Sequence, residues 1–505
     1  MASRPALRVG VVSFDYPPFY ERGAGGAEAR RSILPALLAE EGHQIVQPSQ
    51  DQDPGRAGLA TPADLERCLG EFRARGVDCL LLDLFHWTRP ALALALLREL
   101  GVPCGLVANS RDGWNGITAV TAISASLREL PEHRFLSGSP RFRDSEPQDI
   151  RDWLRGVAAY TRLRRSRLLS WGGGYGADIP FTRSDPAALE SCLVREVLQE
   201  QEIVLVERAR AIAAGSPQRV KGFLDWLEAR GTRIRYGGRL TPEALAFQVA
   251  LYLAARDRLQ ELEGEDIAAV SIKCHYELSI APVGCTACLL PGFLPFDEDA
   301  GGPREVVPTA CEGDLPGLAT LAMLHAVNPQ EAPLFGDLAM YQAGFVLVRN
   351  CGASAVSWAG GLDHLEVKPN IHGRSGGALS YETPAAPEVT FARLFRVGGR
   401  MSLMLGEGSI AGPGVPGGVL DPGTPAGVLD PAIAASSTSF PDPWPHTRLV
   451  LPVDPYLLYR AAPCNHACLT RGRQARSLET LARLAGLQVV RCDREASLAS
   501  YLESL

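Results

Sequence analysis

Residues 78–108 read DCLLLDLFHWTRPALALALLRELGVPCGLVA, and the class of fold follows from them. The apolar run at 78–85 suits a strand buried on both faces. Thr88-Arg89-Pro90 follows, and proline is tolerated in the first turn of a helix, where its missing N–H costs nothing. That helix is expected to reach about Leu100, with a second apolar strand at 103–108. Strand, helix and strand in this order form a β-α-β unit, which implies a parallel sheet covered by helices. The run at 7–14 adds a further strand. Segment 109–146, rich in Ser, Gly, Arg and Pro, reads as loop with some helix.

The same rhythm resumes near Arg167. A short strand at 168–171 runs into the glycine turn Gly172-Gly173-Gly174-Tyr175-Gly176. This turn lacks the Lys-Ser/Thr of a P-loop and is not GxGxxG, so it reads as a tight connection. Asp185-Pro186 predicts an N-cap and first-turn proline for a long helix to about Ala213. Helices are expected near 217–230, 241–263 and 315–327, and strands at 266–274, 306–310, 333–337 and 344–349. The last third differs. Segments 388–397 and 400–407 flank Gly398-Gly399, a two-residue hairpin signal. Strands at 448–453, after His466 and at 487–492 accompany a helix at 475–485 and a terminal helix. Segment 411–432 is Gly/Pro-rich, repeats GVLDP at 418–422 and 427–431, and reads as loop. The expected architecture is α/β in three domains. Two, at 1–165 and 166–350, have helix-covered parallel sheets of Rossmann or flavodoxin type, and a mainly β C-terminal domain occupies 351–505.

Composition removes several function classes. Apolar residues make up 46% of the 505 and charged residues 21%, ordinary globular usage that excludes a wholly disordered chain. Acidic residues outnumber basic ones by 57 to 50, a net charge of -7, which argues against broad electrostatic binding of nucleic acid. No run approaches the roughly 20 unbroken apolar residues of a membrane helix. The best, 91–107, is interrupted by Arg98 and Glu99. The N-terminus shows no signal-peptide pattern. Twelve scattered cysteines are too sparse for a disulfide scaffold, which points to a reducing cytoplasm.

Glu312 and Asp337 stand out by placement, each closing an apolar run: VVPTACE at 306–312 and APLFGD at 332–337. In open parallel sheets ligands gather beyond the carboxyl ends of strands. If the two strands are neighbours, both carboxylates face one crevice, and a hard divalent cation relieves their repulsion. The plainer reading is that Glu312 or Asp337 caps the next helix. His466 sits in PCNHAC at 463–468, and a neutral imidazole is a common metal ligand. A zinc site from Cys464 and Cys468, with Cys285-x-x-Cys288 as second pair, lacks finger-like spacing. Lys273-Cys274-His275-Tyr276-Glu277 ends a strand, either as a polar wall of the crevice or as plain surface. No G-x-S-x-G elbow is present, which disfavours a standard α/β-hydrolase.

Four stretches together resemble the L-fucose isomerase family, within the fucose/arabinose isomerase group. They are 168–197 (LLSWGGGYGADIPFTRSDPAALESCLVREV), 309–317 (TACEGDLPG), 334–337 (LFGD) with Asn350 and Ser354, and the tail from Trp444-Pro445 through VLPVD and Asn465-His466 to GLQVVRC. The likeness covers roughly 165–505. It implies a three-domain subunit and a divalent cation, most often Mn2+, on Glu312, Asp337 and His466. It implies a homo-oligomer, trimer or hexamer, whose first domain reaches a neighbouring site, a role for which Phe85-His86-Trp87 is the candidate. Lys273, His275, Asn465 and Trp87 are the expected substrate contacts. The implied activity is interconversion of an aldose and a ketose through an enediol, with Glu312 and Asp337 as acid-base groups. A sugar-binding or regulatory protein on the same scaffold, or a metal-dependent epimerase or lyase, are the alternatives.

Overall fold

The computed structural model describes residues 6–16, 32–49, 58–109, 116–129, 139–173, 179–183, 185–342, 344–413 and 444–505. Both GVLDP copies and the end of the glycine turn, 174–178, lie outside these residues. The described chain forms two compact units. One comprises Arg162–Leu478 with Leu487–Leu505, the other the described part of Ser3–Thr161 with Glu479–Gly486.

The N-terminal unit carries a five-stranded, all-parallel sheet ordered Gln44–Val46, Arg8–Val12, Cys79–Leu84, Cys104–Ala108 and Arg141–Arg143. Every residue of the central strand Cys79–Leu84 is buried, as its unbroken apolar run requires. The helix Pro90–Leu100 starts at its proline and stops at Gly101, whose φ of 62° is left-handed. Thr61 and Asp64 close a capping box on the helix Pro62–Arg75.

The second unit holds a four-stranded parallel sheet ordered Thr309–Ala310, Ile267–Ile272, Arg167–Trp171 and Glu196–Glu200. Helices Ile203–Gly215, Pro217–Ala229 and Pro242–Glu261 share one apolar core with it. One expectation fails here. The long helix from Asp185 is broken into the helix Pro186–Cys192, the strand Glu196–Glu200 and the helix Ile203–Gly215. Asp185 does cap its start, accepting from Ala187 N at 3.0 Å. The strand then wins because it pairs along the edge of Arg167–Trp171, and Arg164 Nη1 satisfies the carbonyls of Glu190 and Val194 at 2.6 and 2.8 Å.

The C-terminal region is strand-rich. Six strands, Ala386–Val397, His466–Arg471, Leu334–Gln342, Phe345–Arg349, His446–Val450 and Arg400–Ala411, pair antiparallel in that order and close on themselves through the first and last. Gln488–Arg491 adds in parallel to Arg400–Ala411. The hairpin turn at Gly398-Gly399 is as expected. The helix Leu315–Val327 is buried at every position and packs against strands of both the parallel sheet and the closed one. Its sequence, LPGLATLAMLHAV, is apolar all round, as a helix between two sheets must be. Among the described residues no helix is long and apolar enough to cross a membrane.

Candidate functional site

Glu312, Gly313 and Asp314 form the turn between the short strand Thr309–Ala310 and the buried helix Leu315–Val327. Asp314 is the cap of that helix, accepting from Gly317 N at 2.9 Å, with proline in the first turn. The capping reading of Glu312 and Asp337 is therefore wrong. Asp314 does that work, and Asp337 lies within the strand Leu334–Gln342. The premise of neighbouring parallel strands also fails. Glu312 leaves the parallel sheet, whereas Asp337 belongs to the closed antiparallel one, directly opposite His466 in register.

The side chains nevertheless converge. Nε2 of His466 lies 3.0 Å from Glu312 Oε2 and 3.5 Å from Asp337 Oδ1. Nδ1 of His466 donates to Asp314 Oδ2 at 2.7 Å. Asp314 is in turn clamped by Arg393 through two bonds, Nη1 to Oδ2 at 2.5 Å and Nη2 to Oδ1 at 3.0 Å. His466, Asp314 and Arg393 are almost wholly inaccessible, at 0, 0 and 1% side-chain exposure, so this is an ionic cluster inside an apolar core. The rings of Phe181 and Phe335 wall in the imidazole edge-on, with centroids 5.4 and 4.9 Å away. Gly317 is dictated by this crowding: a Cβ there would stand 2.5 Å from Asp314 Oδ2 and 2.6 Å from Phe335 Cε2. Glu312 has a φ of 60°, a left-handed conformation that a non-glycine residue adopts at a cost of about 1 kcal/mol or more.

Burial opposes ionisation of Asp314, but Arg393 and His466 outweigh it and hold its carboxyl far below the usual range. Burial likewise opposes charge on His466, and the hydrogen bonds to Asp314 and Glu312 overcome it, raising its pKa well above the usual value. The two outer carboxylates diverge. Glu312 is held down despite burial, by His466 and His275. Asp337 is pushed up to about 6, chiefly by burial and further by Glu312, against His466 and Asn465.

Two carboxylates and an imidazole are groups able to bind a divalent cation, provided His466 gives up its Nε2 proton to do so. Glu312 Oε2 and Asp337 Oδ1 each lie at a distance from His466 Nε2 that two ligands of one ion can have. The bond from Nδ1 to the buried Asp314 fixes the orientation of the His466 ring. Two carboxylates balance the charge of such an ion. Asn465 donates to Asp337 Oδ1 at 2.6 Å and so fixes that carboxylate.

The other expected contacts separate. His275 faces Glu312, its Nδ1 2.8 Å from Ser279 Oγ. Lys273 pairs with Glu277 at 2.7 Å. Trp87 follows Cys79–Leu84 in the N-terminal unit, half-buried, with its carbonyl 2.7 Å from His86 Nδ1. Trp444, which opens the tail stretch of the resemblance with no expected role there, stacks on His372 at 5.2 Å and lies under the guanidinium of Arg349 at 4.3 Å. His372 reaches His275 at 6.1 Å, and Arg349 is the register partner of Asp337. Asp314 and Arg393 also went unassigned. The signals were present: an Asp before Leu-Pro at a helix start, and an Arg inside the apolar run VTFARLF.

Cys464 and Cys468 do not meet Cys285 and Cys288 in a zinc site; their thiols turn to the carbonyls of His466, Gly317 and Ala244. A different triad does form. One donor atom each from His275, Glu312 and Cys351 lies within 4.8 Å of the other two. At the amino ends of the parallel strands a separate cavity of about 430 Å³ is lined by Arg162, Arg256, Arg304 and His325 among others. Two of its arginines, Arg256 and Arg304, are committed to the buried Asp299. No model of a known protein family matches the chain, and no curated protein sequence does.

Proposed function

We propose that the chain is a metal-dependent aldose-ketose isomerase of small fucose- or arabinose-like sugars. The observation that supports this reading is that Glu312 and Asp337, from different sheets, both reach Nε2 of His466, at 3.0 and 3.5 Å. Mn2+ is the cation we assign, on the resemblance and the oxygen-rich donor set. When bound, such an ion polarises the sugar carbonyl and stabilises negative charge on the enediolate oxygens.

The chain's own groups do the proton work. Moving a carbonyl between C1 and C2 requires one carbon-bound proton to be taken and returned, with oxygen protons redistributed. The two carboxylates both lie beside His466 Nε2, and one can take a proton while the other returns it. Asn465 keeps Asp337 aimed, and Asp314 keeps His466 from rotating. Trp444 offers a ring face for the apolar side of a sugar and an indole N–H without a partner among the described residues. The same reading places the protein in the cytoplasm as a three-domain homo-oligomer, trimer or hexamer, with Trp87 contributed to a neighbouring site.

The test is a panel of aldoses and ketoses incubated in D2O with chelator-treated protein and added Mn2+. Interconversion with deuterium at carbon is expected. Glu312→Gln should keep the fold, weaken metal binding and remove most turnover. Sugar binding without turnover under any divalent ion would make the chain a non-catalytic sugar binder. Full-rate isomerisation by exhaustively demetallated protein would refute the mechanism.

A further inference from the structure

Three strand ends deliver three thiols to one place. Cys274 precedes His275 after Ile267–Ile272, Cys311 precedes Glu312 after Thr309–Ala310, and Cys351 follows Asn350 after Phe345–Arg349. Cys311 is within hydrogen-bonding reach of both Cys274 and Cys351, and Asn350 Nδ2 donates to its sulfur at 3.3 Å. All three are free thiols. A buried free cysteine is ordinarily a small apolar filler. Cys351 is not that, because it is only half-buried and faces an imidazole and a carboxylate.

We propose that His275, Glu312 and Cys351 form a second cation site, selective for a thiophilic divalent ion such as Zn2+, that shares Glu312 with the Asp337–His466 set. Three protein donors of N, O and S type, with room for a further ligand, are what Zn2+ takes in its open sites. Hard ions such as Mg2+ and Mn2+ avoid thiolate. One thiolate and one carboxylate neutralise the ion's two charges. The contact of His275 Nδ1 with Ser279 Oγ orients the ring and leaves Nε2 for an ion, and Cys311, held by Asn350, is within hydrogen-bonding reach of Cys351. Because one carboxylate serves both sites, an ion at the thiolate site draws Glu312 away from the other. Zn2+ therefore acts as an inhibitor of the Mn2+-supported reaction; only this consequence rests on the isomerase reading.

The experiment titrates the full-length, chelator-treated protein with Co2+ and follows near-ultraviolet absorption. A thiolate-to-cobalt charge-transfer band is expected at one equivalent, and Zn2+ should bleach it. Cys351→Ser should lose the band, His275→Gln should weaken binding roughly tenfold or more, and Asp337→Asn should retain it. No band in the wild-type protein overturns the proposal whatever the variants do, and so does an undiminished band in Cys351→Ser. A wild-type band with no sugar turnover under Mn2+ would leave the site standing and sink the isomerase reading instead. With turnover established, Zn2+ that inhibits wild type and Cys351→Ser equally would overturn the shared-carboxylate claim.

Discussion

Replacing Asp314 by Asn removes one charge and almost no volume, so its consequences can be worked atom by atom. Oδ2 accepts from His466 Nδ1 and Arg393 Nη1, and Oδ1 accepts from Gly317 N and Arg393 Nη2. All four lone-pair directions are filled by donors. An Asn amide must turn its NH2 toward one of these pairs, placing donor against donor in either orientation. Arg393, 1% exposed, then keeps its charge with no counter-ion. Breaking a buried pair from one side costs about 3–5 kcal/mol. The helix cap itself tolerates the change, since Asn caps as well as Asp. On the proposed metal reading, loss of the carboxylate behind His466 should weaken Mn2+ binding by about 10–100-fold. Urea unfolding of the metal-free protein, followed by circular dichroism, reads the first effect, and calorimetric Mn2+ titration under native conditions the second. A variant that unfolds within about 1 kcal/mol of wild type and binds Mn2+ equally well would show that the cluster neither stabilises the core nor supports the site.

Other perturbations test separate parts of the structure. Gly317→Ala drives a methyl into Asp314, Phe335 and Arg393 and should destabilise by about 1–3 kcal/mol, with weaker Mn2+ binding; equal stability in urea would contradict the packing described. His325 is buried and its pKa is lowered to about 4, first by burial and then by Arg162, with the Glu331 carbonyl opposing. The unfolded state, titrating near 6.5, binds more protons between these values, so stability is full above about 6.5 and falls as pH drops toward 4. Wild type should lose about 3 kcal/mol more than His325→Gln between pH 7 and pH 4, and parallel losses in urea midpoints would disprove it. If the chain isomerises sugars as proposed, Trp444→Ala should raise KM about 3–10-fold with little change in kcat, and an unchanged KM would take Trp444 out of substrate binding.

Much of the architecture was legible in local pattern. The apolar runs at 78–85 and 103–108, Pro90 and Gly101 place two strands and a helix without reference to the rest of the chain. Gly398-Gly399 sets its hairpin for the same reason: the turn needs positive φ, and only neighbouring residues supply it. The misread helix at 185–213 shows where local reading stops. Its middle residues suit helix or strand, and an edge available on Arg167–Trp171 settles the contest. The chemistry was half legible. Glu312, Asp337 and His466 were picked out by type and position, but for a premise that fails, since the acids leave different sheets.

Residue order thus set the strand-helix alternation, the caps and turns, and the list of groups able to do chemistry, because those depend on contacts within a few residues. It could not show that Asp314 and Arg393 pair across 79 positions, that Asp337 faces His466 in register, or that Cys351 meets His275 and Glu312. Those adjacencies arise where the helix Leu315–Val327 is packed against two sheets at once. The distances they require are properties of that packing, and no periodicity along the chain encodes them.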